Sequence, residues 1–368
     1  MKLIIQRNDL LDAVNKVKSI VSARSALPIL SHILFEAEGS SVRLSATDLK
    51  VSIECAVDCT VETPGSMTIS SQRLSSILPQ LPDADIKLEL VDSNIVRLTC
   101  GKIDTKLFSM AAEEFPPIRT FKGVEPLIFP SKMLKNLFSK TSFAICTDQA
   151  RHNLTGLLIE ISEGRMTAVA TDGRRMSLFV EEEGIVEGIE IKVIIPGKLI
   201  HELERLLDDE NNVEVFVGEN QAAFCFNSLR LVTALIEGNF PNYEMVIPKN
   251  HDKEALVSTE QFSEAMRRTC TMTNEKFNSV RVIVSQGSMN LKVVTPEVGE
   301  YEEDLLVGYD GDPVEIAFNP EFVLEVLRHI DPETTSLLLK DGTSPGVIKP
   351  HHEAPRDNYI NVVMPIRL

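Results

Sequence analysis

The chain has no tryptophan, and aromatic residues fill only 5% of its 368 positions. Its cores must therefore be aliphatic, and an apolar content of 43% is enough to build them; this composition excludes disordered and fibrous classes. No apolar run approaches the ~18 residues of a membrane-crossing helix. The opening stretch MKLIIQRNDLLDAV has too short an apolar core and too early a charge cluster for a secretory signal, so the expectation is a cytoplasmic protein. Cys55, Cys59, Cys100, Cys146, Cys225 and Cys270 form no CxxC pair and are too sparse for a disulfide framework. They read as reduced thiols.

Signatures of catalysis are missing too. No P-loop, nucleophile elbow or GxGxxG context is found. Asp48 and Asp172 could be imagined as paired carboxylates, but Asp after Thr at a strand end more commonly serves a turn. His351, His352 and Glu353 lack a third ligand at a supporting spacing, so a polar loop is the simpler reading. An enzyme built on repeats remains the rival class.

What the chain does have is an internal repeat. Apolar runs end in Thr47 (LSATD), Thr171 (AVATD) and Thr295 (KVVTP), each 124 residues after the last. Helical segments entered near Leu74, Leu199 and Phe322 keep step, as do the pairs Phe115-Pro116, Phe240-Pro241 and Met364-Pro365. Three domains of one α+β fold are expected, over 1–122, 123–249 and 250–368, a common domain size.

Each repeat carries two helical stripes among strand patterns. Leu10, Leu11, Val14, Val17 and Val21 follow Asp9; Met133, Leu134, Leu137 and Phe138 follow Ser131; Phe262, Ala265 and Met266 follow a capping box from Ser258 to Gln261. The second set begins at Leu74, at Leu199, and at Phe322 behind the cap-and-proline pair Asn319-Pro320.

Net charge is −17, divided as −1, −7 and −9 over the three repeats. So acidic a chain is normally a poor ligand for nucleic acid, because phosphate binding depends on Lys and Arg. Yet fields are local, and the helices and their ends collect Lys16, Lys18, Arg24, Arg73, Lys132, Lys135, Lys140, Lys198, Arg205, Arg267 and Arg268. The acidic runs Glu181 to Glu183, Asp208 to Glu210 and Glu300 to Asp304 fall at expected turns or strand ends.

Several segments match one family in register along the whole length: RSALPIL at 24–30, TDL at 47–49, EEFP at 113–116, ATDGRRM at 170–176, GNFPNY at 238–243, NEKF at 274–277, FNPEFVLEVL at 318–327 and the terminal VVMPIRL. The chain resembles the bacterial sliding clamps, the beta subunits of DNA polymerase III. ATDGRRM together with the terminal MPIRL is the most specific part.

The resemblance implies three tandem clamp domains, with sheets outside and two helices per domain lining an inner face. It further implies a head-to-tail homodimer that closes into a ring around double-stranded DNA, bound without regard to sequence. No catalysis, cofactor or metal is implied; the function is processivity. The partners implied are the DNA polymerase III alpha subunit, the clamp loader and other clamp-binding-motif proteins, with no membrane.

By position, Arg24, Arg73, Gln149 and Lys198 are the DNA-facing candidates. A peptide-binding cleft is implied at Leu154, Thr171, Gly173, Arg174, Arg175, Met176, Pro241, Val246, Asn319, Phe322, Met364, Pro365, Ile366, Arg367 and Leu368, with arginine and the terminal carboxylate at its rim. Leu107 and Met272 match apolar dimer contacts. There are departures: Met245 stands where family members carry Arg, the loop 340–346 is a residue longer, and Thr105 and Thr271 replace larger apolar residues. Lys102 and Lys106 could face acids among Glu300 to Asp304.

Overall fold

A computed structural model of the chain describes residues 1–21, 27–121, 123–352 and 357–367. Six helices occur among them: α1 (Arg7–Val17), α2 (Ser71–Ile77), α3 (Ser131–Thr141), α4 (Gly197–Leu206), α5 (Thr259–Thr271) and α6 (Pro320–Leu327). All six fall on the expected stripes. In α1 the buried face is Leu10, Ala13, Val14 and Val17. Leu11 is only half-buried, and Val21 lies beyond the helix end. The Ser258 hydroxyl accepts from the Gln261 amide, capping α5, and the Asn319 side chain accepts from the Glu321 amide, capping α6 behind Pro320.

The described chain divides into two compact units, Met1–Lys135 with His201–Leu235, and Asn136–Ile200 with Ile236–Leu368. The division runs through α3 and α4.

The first unit holds two antiparallel sheets. One has the order Thr60–Thr63, Lys2–Gln6, Asp85–Asp92, Ile95–Cys100, Ile103–Phe108. The other has the order Leu127–Pro130, Asn212–Val217, Gln221–Phe226, Leu229–Ala234, Val51–Asp58, Ser41–Thr47, His32–Glu38, Gly65–Ser70. Side chains alternate across each strand, so Ile33, Phe35 and Ala37 enter the core from His32–Glu38, and Val42, Leu44 and Ala46 from Ser41–Thr47. Each large aliphatic side chain so buried contributes about 1.5–3 kcal/mol. Leu229–Ala234 pairs with Val51–Asp58 in the register Leu229↔Cys55, Arg230↔Glu54, Leu231↔Ile53, so strands of the expected first and second repeats form one continuous sheet.

The second unit contains a single run of twelve strands, in the order Ile191–Pro196, Gly156–Ser162, Arg165–Thr171, Arg175–Glu181, Tyr359–Val363, Gly346–Pro350, Thr334–Leu339, Lys253–Ser258, Gly299–Gly308, Ser288–Thr295, Val280–Ser285, Val314–Phe318. Arg175–Glu181 pairs with Tyr359–Val363, starting at Arg175↔Val363. It begins 124 residues after Val51–Asp58 and does for the second and third repeats what that strand does for the first and second.

The third strand of this set, Gly299–Gly308, differs. It pairs with Ser288–Thr295 along its length but meets Lys253–Ser258 only at Leu256↔Gly308 and Val257↔Val307. Its Gly299–Leu306 stretch therefore has no recorded partner on its second side among the described residues. Ile103–Phe108 likewise ends its sheet. The expectation that Glu300 to Asp304 form a turn or strand end is corrected here: they lie inside a ten-residue strand. The exposed Glu300, Glu302 and Asp304 alternate with Tyr301, Glu303 and Leu305, which turn inward to varying degrees.

The tripeptide that marks the repeat is a turn. The Thr47 hydroxyl donates to the Val51 carbonyl at 3.1 Å, and Asp48 accepts from the amides of Lys50 and Val51 at 3.0 and 2.7 Å. The Thr171 hydroxyl donates to the Arg175 carbonyl at 2.6 Å, and Asp172 accepts from the amides of Arg174 and Arg175 at 2.9 and 3.0 Å. The residue two after each Thr is left-handed: Leu49 at φ 76°, Gly173 at φ 82° and Glu297 at φ 67°. Both aspartates are thus occupied in turn chemistry, which leaves the enzyme reading without its paired carboxylates.

Candidate functional sites

The Thr171 turn leads directly into the strongest side-chain cluster of the second unit. Arg175 is nearly buried, with 10% of its side chain exposed. Its Nε donates to Asp172 at 3.1 Å, one terminal nitrogen donates to Glu325, and the other donates to the Phe143 carbonyl at 2.7 Å. The guanidinium lies 4.5 Å from the Phe322 ring centroid and 5.6 Å from that of Phe143. Phe143 in turn stacks on His329 at 4.8 Å. Charge-assisted hydrogen bonds contribute roughly 1.5–3 kcal/mol each and cation–π contacts about 0.5–2, so this arginine is held in one place.

Backbone bonds bring the C-terminal segment to the same turn. The Met364 amide donates to the Arg174 carbonyl at 2.9 Å, and the Ile366 amide to the Ala317 carbonyl at 2.8 Å. Met176 is buried with Leu158, Leu178, Val347 and Val362, and Phe240, Tyr243 and Ile247 pack against that cluster. Pro241 and Val246 belong to the same segment and are exposed, as are Met245 and Met364. Burial and the neighbouring Glu160 carboxylate push the Tyr243 phenol up to about 12, so it stays a donor to Glu160 at 3.4 Å.

The structure thus joins Thr171, Gly173, Arg174, Arg175, Phe322 and Met364 by direct contacts. Asn319 is spent on the α6 cap. Leu154 is buried, with its carbonyl accepting from the Cys146 amide at 3.1 Å. Pro365 and Ile366 are half-buried, and Arg367 is exposed. Leu368 lies outside the described residues, so the terminal carboxylate at the rim does too. Arg175 is enclosed; of the exposed arginines near the turn, Arg151 donates to the Asp172 carbonyl at 2.8 Å, while Arg174 and Arg367 lie beside it.

Among the DNA-facing candidates, Arg24 lies outside the described residues. Arg73 on α2, Gln149 at the start of a short 3-10 turn and Lys198 on α4 are all exposed. Much of the other helix-borne charge is met locally: Lys16 by Asp12, Lys135 by Asp209, Arg205 by Glu202 and Arg268 by Glu303. Lys140 is only 7% exposed and donates to Asp331 at 2.6 Å, so it is no part of a solvent-facing stripe.

Leu107 sits on the terminal strand Ile103–Phe108, half-buried beside Phe108, which is 81% exposed. Met272 packs near Gly299, where the bare strand begins, and its carbonyl accepts from Thr295 at 2.6 Å. Leu306 on that strand is 83% exposed. Phe108 and Leu306 are thus large apolar side chains exposed on strands that lack a full second neighbour among the described residues. The residues that sequence reasoning missed are Glu325 and Phe143. Glu325 was accessible as the i+3 neighbour of Phe322 on one helix face, whereas nothing local marks Phe143.

A repeated α+β chain whose sheets run on from one repeat to the next has the architecture of a clamp-type protein. The DNA polymerase III beta subunit family matches in three consecutive parts: its N-terminal domain over residues 1–119, its central domain over 128–242 and its C-terminal domain over 244–367. The chain belongs to this family. The beta sliding clamp of Chlamydia muridarum is 32% identical over all of this chain and 99% of that protein, and that of Pseudomonas putida is 33% identical over the whole of both. Among solved structures, the Bacillus subtilis DNA polymerase sliding clamp superposes with a TM-score of 0.95 at 26% identity over 100% of this chain and 99% of that one. A Pseudomonas aeruginosa sliding clamp bound to griselimycin gives 0.93 at 32% identity over the whole of both.

Proposed function

We infer that the chain is a DNA sliding clamp, the processivity subunit of DNA polymerase III, and that it acts in DNA replication without catalysing a reaction itself. The three domains are 1–122, 123–249 and 250–368, and the place of action is the bacterial cytoplasm. Two copies join head to tail, the terminal strand Ile103–Phe108 of one adding to Gly299–Leu306 of the other, so that six similar domains close into a ring around duplex DNA. Helix-borne cations, with Arg24, Arg73, Gln149 and Lys198 foremost, meet the phosphates without reading sequence. Polymerase, clamp loader and other partners dock a short apolar peptide in the cleft around Met176, Val246, Phe322 and Met364.

The observation that carries this reading is the repetition of one strand junction. It occurs at Val51–Asp58 with Leu229–Ala234 and again at Arg175–Glu181 with Tyr359–Val363. Gly299–Gly308, 124 residues beyond Arg175, and Ile103–Phe108, which the same repeat aligns with Leu229–Ala234, are the members of these two series that lack such a junction among the described residues. A junction made twice within the chain has its third instance between chains.

The test is retention on circular DNA after loading, together with polymerase processivity. The intact chain should stay on nicked circles at moderate salt, leave when the circle is cut, and lengthen polymerase products. Removing charge at Arg24 and Lys198 together should weaken loading or retention while leaving the dimer intact. Equal loss from circular and linear DNA would overturn encirclement.

A further inference from the structure

Arg175 does not behave as a ligand-binding arginine. Three of its donors are committed within the chain, to Asp172, Glu325 and the Phe143 carbonyl, and the guanidinium carbon lies over two aromatic rings, Phe322 and Phe143. Little of it is left for an incoming carboxylate. What it does is cover part of the Phe322 ring at 4.5 Å. Phe322 itself is only half-buried, so the rest of that ring is open to solvent. An aromatic ring on a helix surface ordinarily samples several rotamers; a cation fixed against it removes that freedom before any ligand arrives. Pre-organisation of this kind raises affinity by reducing the ordering cost of binding.

The cation is fixed from two directions. Asp172 is set by the turn, where it also accepts from two backbone amides. Glu325 comes from α6, the helix that carries Phe322, one turn further on. Arg175 therefore ties the turn to the helix that carries the ring, with its guanidinium over that ring.

We propose that Glu325 is a positioning residue for peptide docking: acting through Arg175, it holds Phe322 in the orientation that receives an apolar side chain of the peptide. The proposal rests on the reading of this region as a peptide cleft. It assigns Arg175 an internal role and leaves ligand carboxylates to the exposed Arg174 and Arg367.

The experiment measures binding of a fluorescein-labelled pentapeptide, Ser-Leu-Ser-Leu-Phe, by anisotropy on the full-length protein, well below its thermal midpoint. Glu325→Ala should weaken binding roughly twofold to tenfold, the cost of ordering one side chain when the peptide binds. Glu325→Asp should recover most of the loss, and the isosteric Glu325→Gln should weaken binding in the same direction even if the alanine variant folds poorly. Because Glu325 acts through the ring, Glu325→Ala should add nothing in a Phe322→Ala background, a non-additivity that general destabilisation does not produce.

If Phe322→Ala abolishes binding while Glu325→Ala and Glu325→Gln bind as the parent does, the positioning role is wrong and the cleft stands. If the two effects simply add, the role is also wrong. If the parent does not bind the peptide, or Phe322→Ala binds it unchanged, the cleft reading itself falls.

Discussion

Reversing one charge at the proposed dimer edge gives the sharpest test of how two copies join. Inside the chain, Arg230 stands opposite Glu54 where the first two repeats meet, and the pair is bridged at 2.6 Å with both side chains largely covered. Shifting each partner by the repeat of 124 residues, Arg230 back once and Glu54 forward twice, gives Lys106 and Glu302. The same register places Leu107 opposite Tyr301 and Phe108 opposite Glu300. Lys106 of one copy should then pair with Glu302 of the other. A cross-strand ion pair contributes roughly 0.2–1 kcal/mol. Lys106→Glu removes that attraction and adds a comparable repulsion, about 0.4–2 kcal/mol per junction. A closed head-to-tail dimer has two junctions, so the cost is about 1–4 kcal/mol, or a rise in dimer Kd of roughly fivefold to several hundredfold. Sedimentation at low ionic strength measures it, and added salt should shrink it. The doubly reversed variant, Lys106→Glu with Glu302→Lys, should recover dimerisation in part; Glu302 also accepts from Asn290 at 3.1 Å and lies 3.7 Å from Lys292, so recovery stops short of complete. An unchanged Kd for Lys106→Glu, or a double variant weaker than both singles, would refute the register.

Leu107→Asn should weaken the dimer with little dependence on salt, because it places an uncharged polar group where the edge carries an apolar side chain; light scattering at micromolar concentration reads this directly. Gly173→Ala should destabilise the fold by ~1–2 kcal/mol in denaturant unfolding, since its φ of 82° is left-handed and the new carbon would sit 2.7 Å from Arg151. Leu49→Gly, at the matching turn with φ 76°, should be neutral to within ~0.5 kcal/mol, the relieved strain offsetting glycine's extra chain entropy. Hydrogen bonds from Asn227 and Asn211 hold the Asp208 carboxyl down at about 2. A group depressed in the folded state stabilises fully above its unfolded pKa, ~3.9, and loses this as pH falls through the folded value. The gap in melting temperature between parent and Asp208→Asn should thus be constant above pH 5 and close between pH 4 and 2.

The helices were legible because their information is local. Stripes, the Ser258 cap and the Asn319-Pro320 start all lie within a few residues of the backbone they shape. The repeated turn was legible from Thr and Asp even though three different residues, Leu49, Gly173 and Glu297, occupy its left-handed position. The strand Gly299–Gly308 was not, because its exposed face is acidic and a charge run resembles a turn until its alternation is counted. Ile103–Phe108 carries too few apolar residues to register as a strand, which is what an edge requires before it finds a partner. The internal commitment of Arg175 was invisible for a different cause: its partners come from three separate stretches of chain, and only folding selects them.

The two edges proposed to join differ from each other, one with Lys102 and Lys106, the other acidic with Glu300, Glu302 and Asp304. Unlike edges can join end to end indefinitely, and nothing in the edges themselves specifies that two copies suffice. For the proposed pair, closure is then a separate requirement from pairing: a head-to-tail contact makes a ring where its rotation closes and a filament where it does not. A core substitution far from both edges should then be able to trade the proposed closed pair for an open polymer, and solubility would fail with every binding surface still correct.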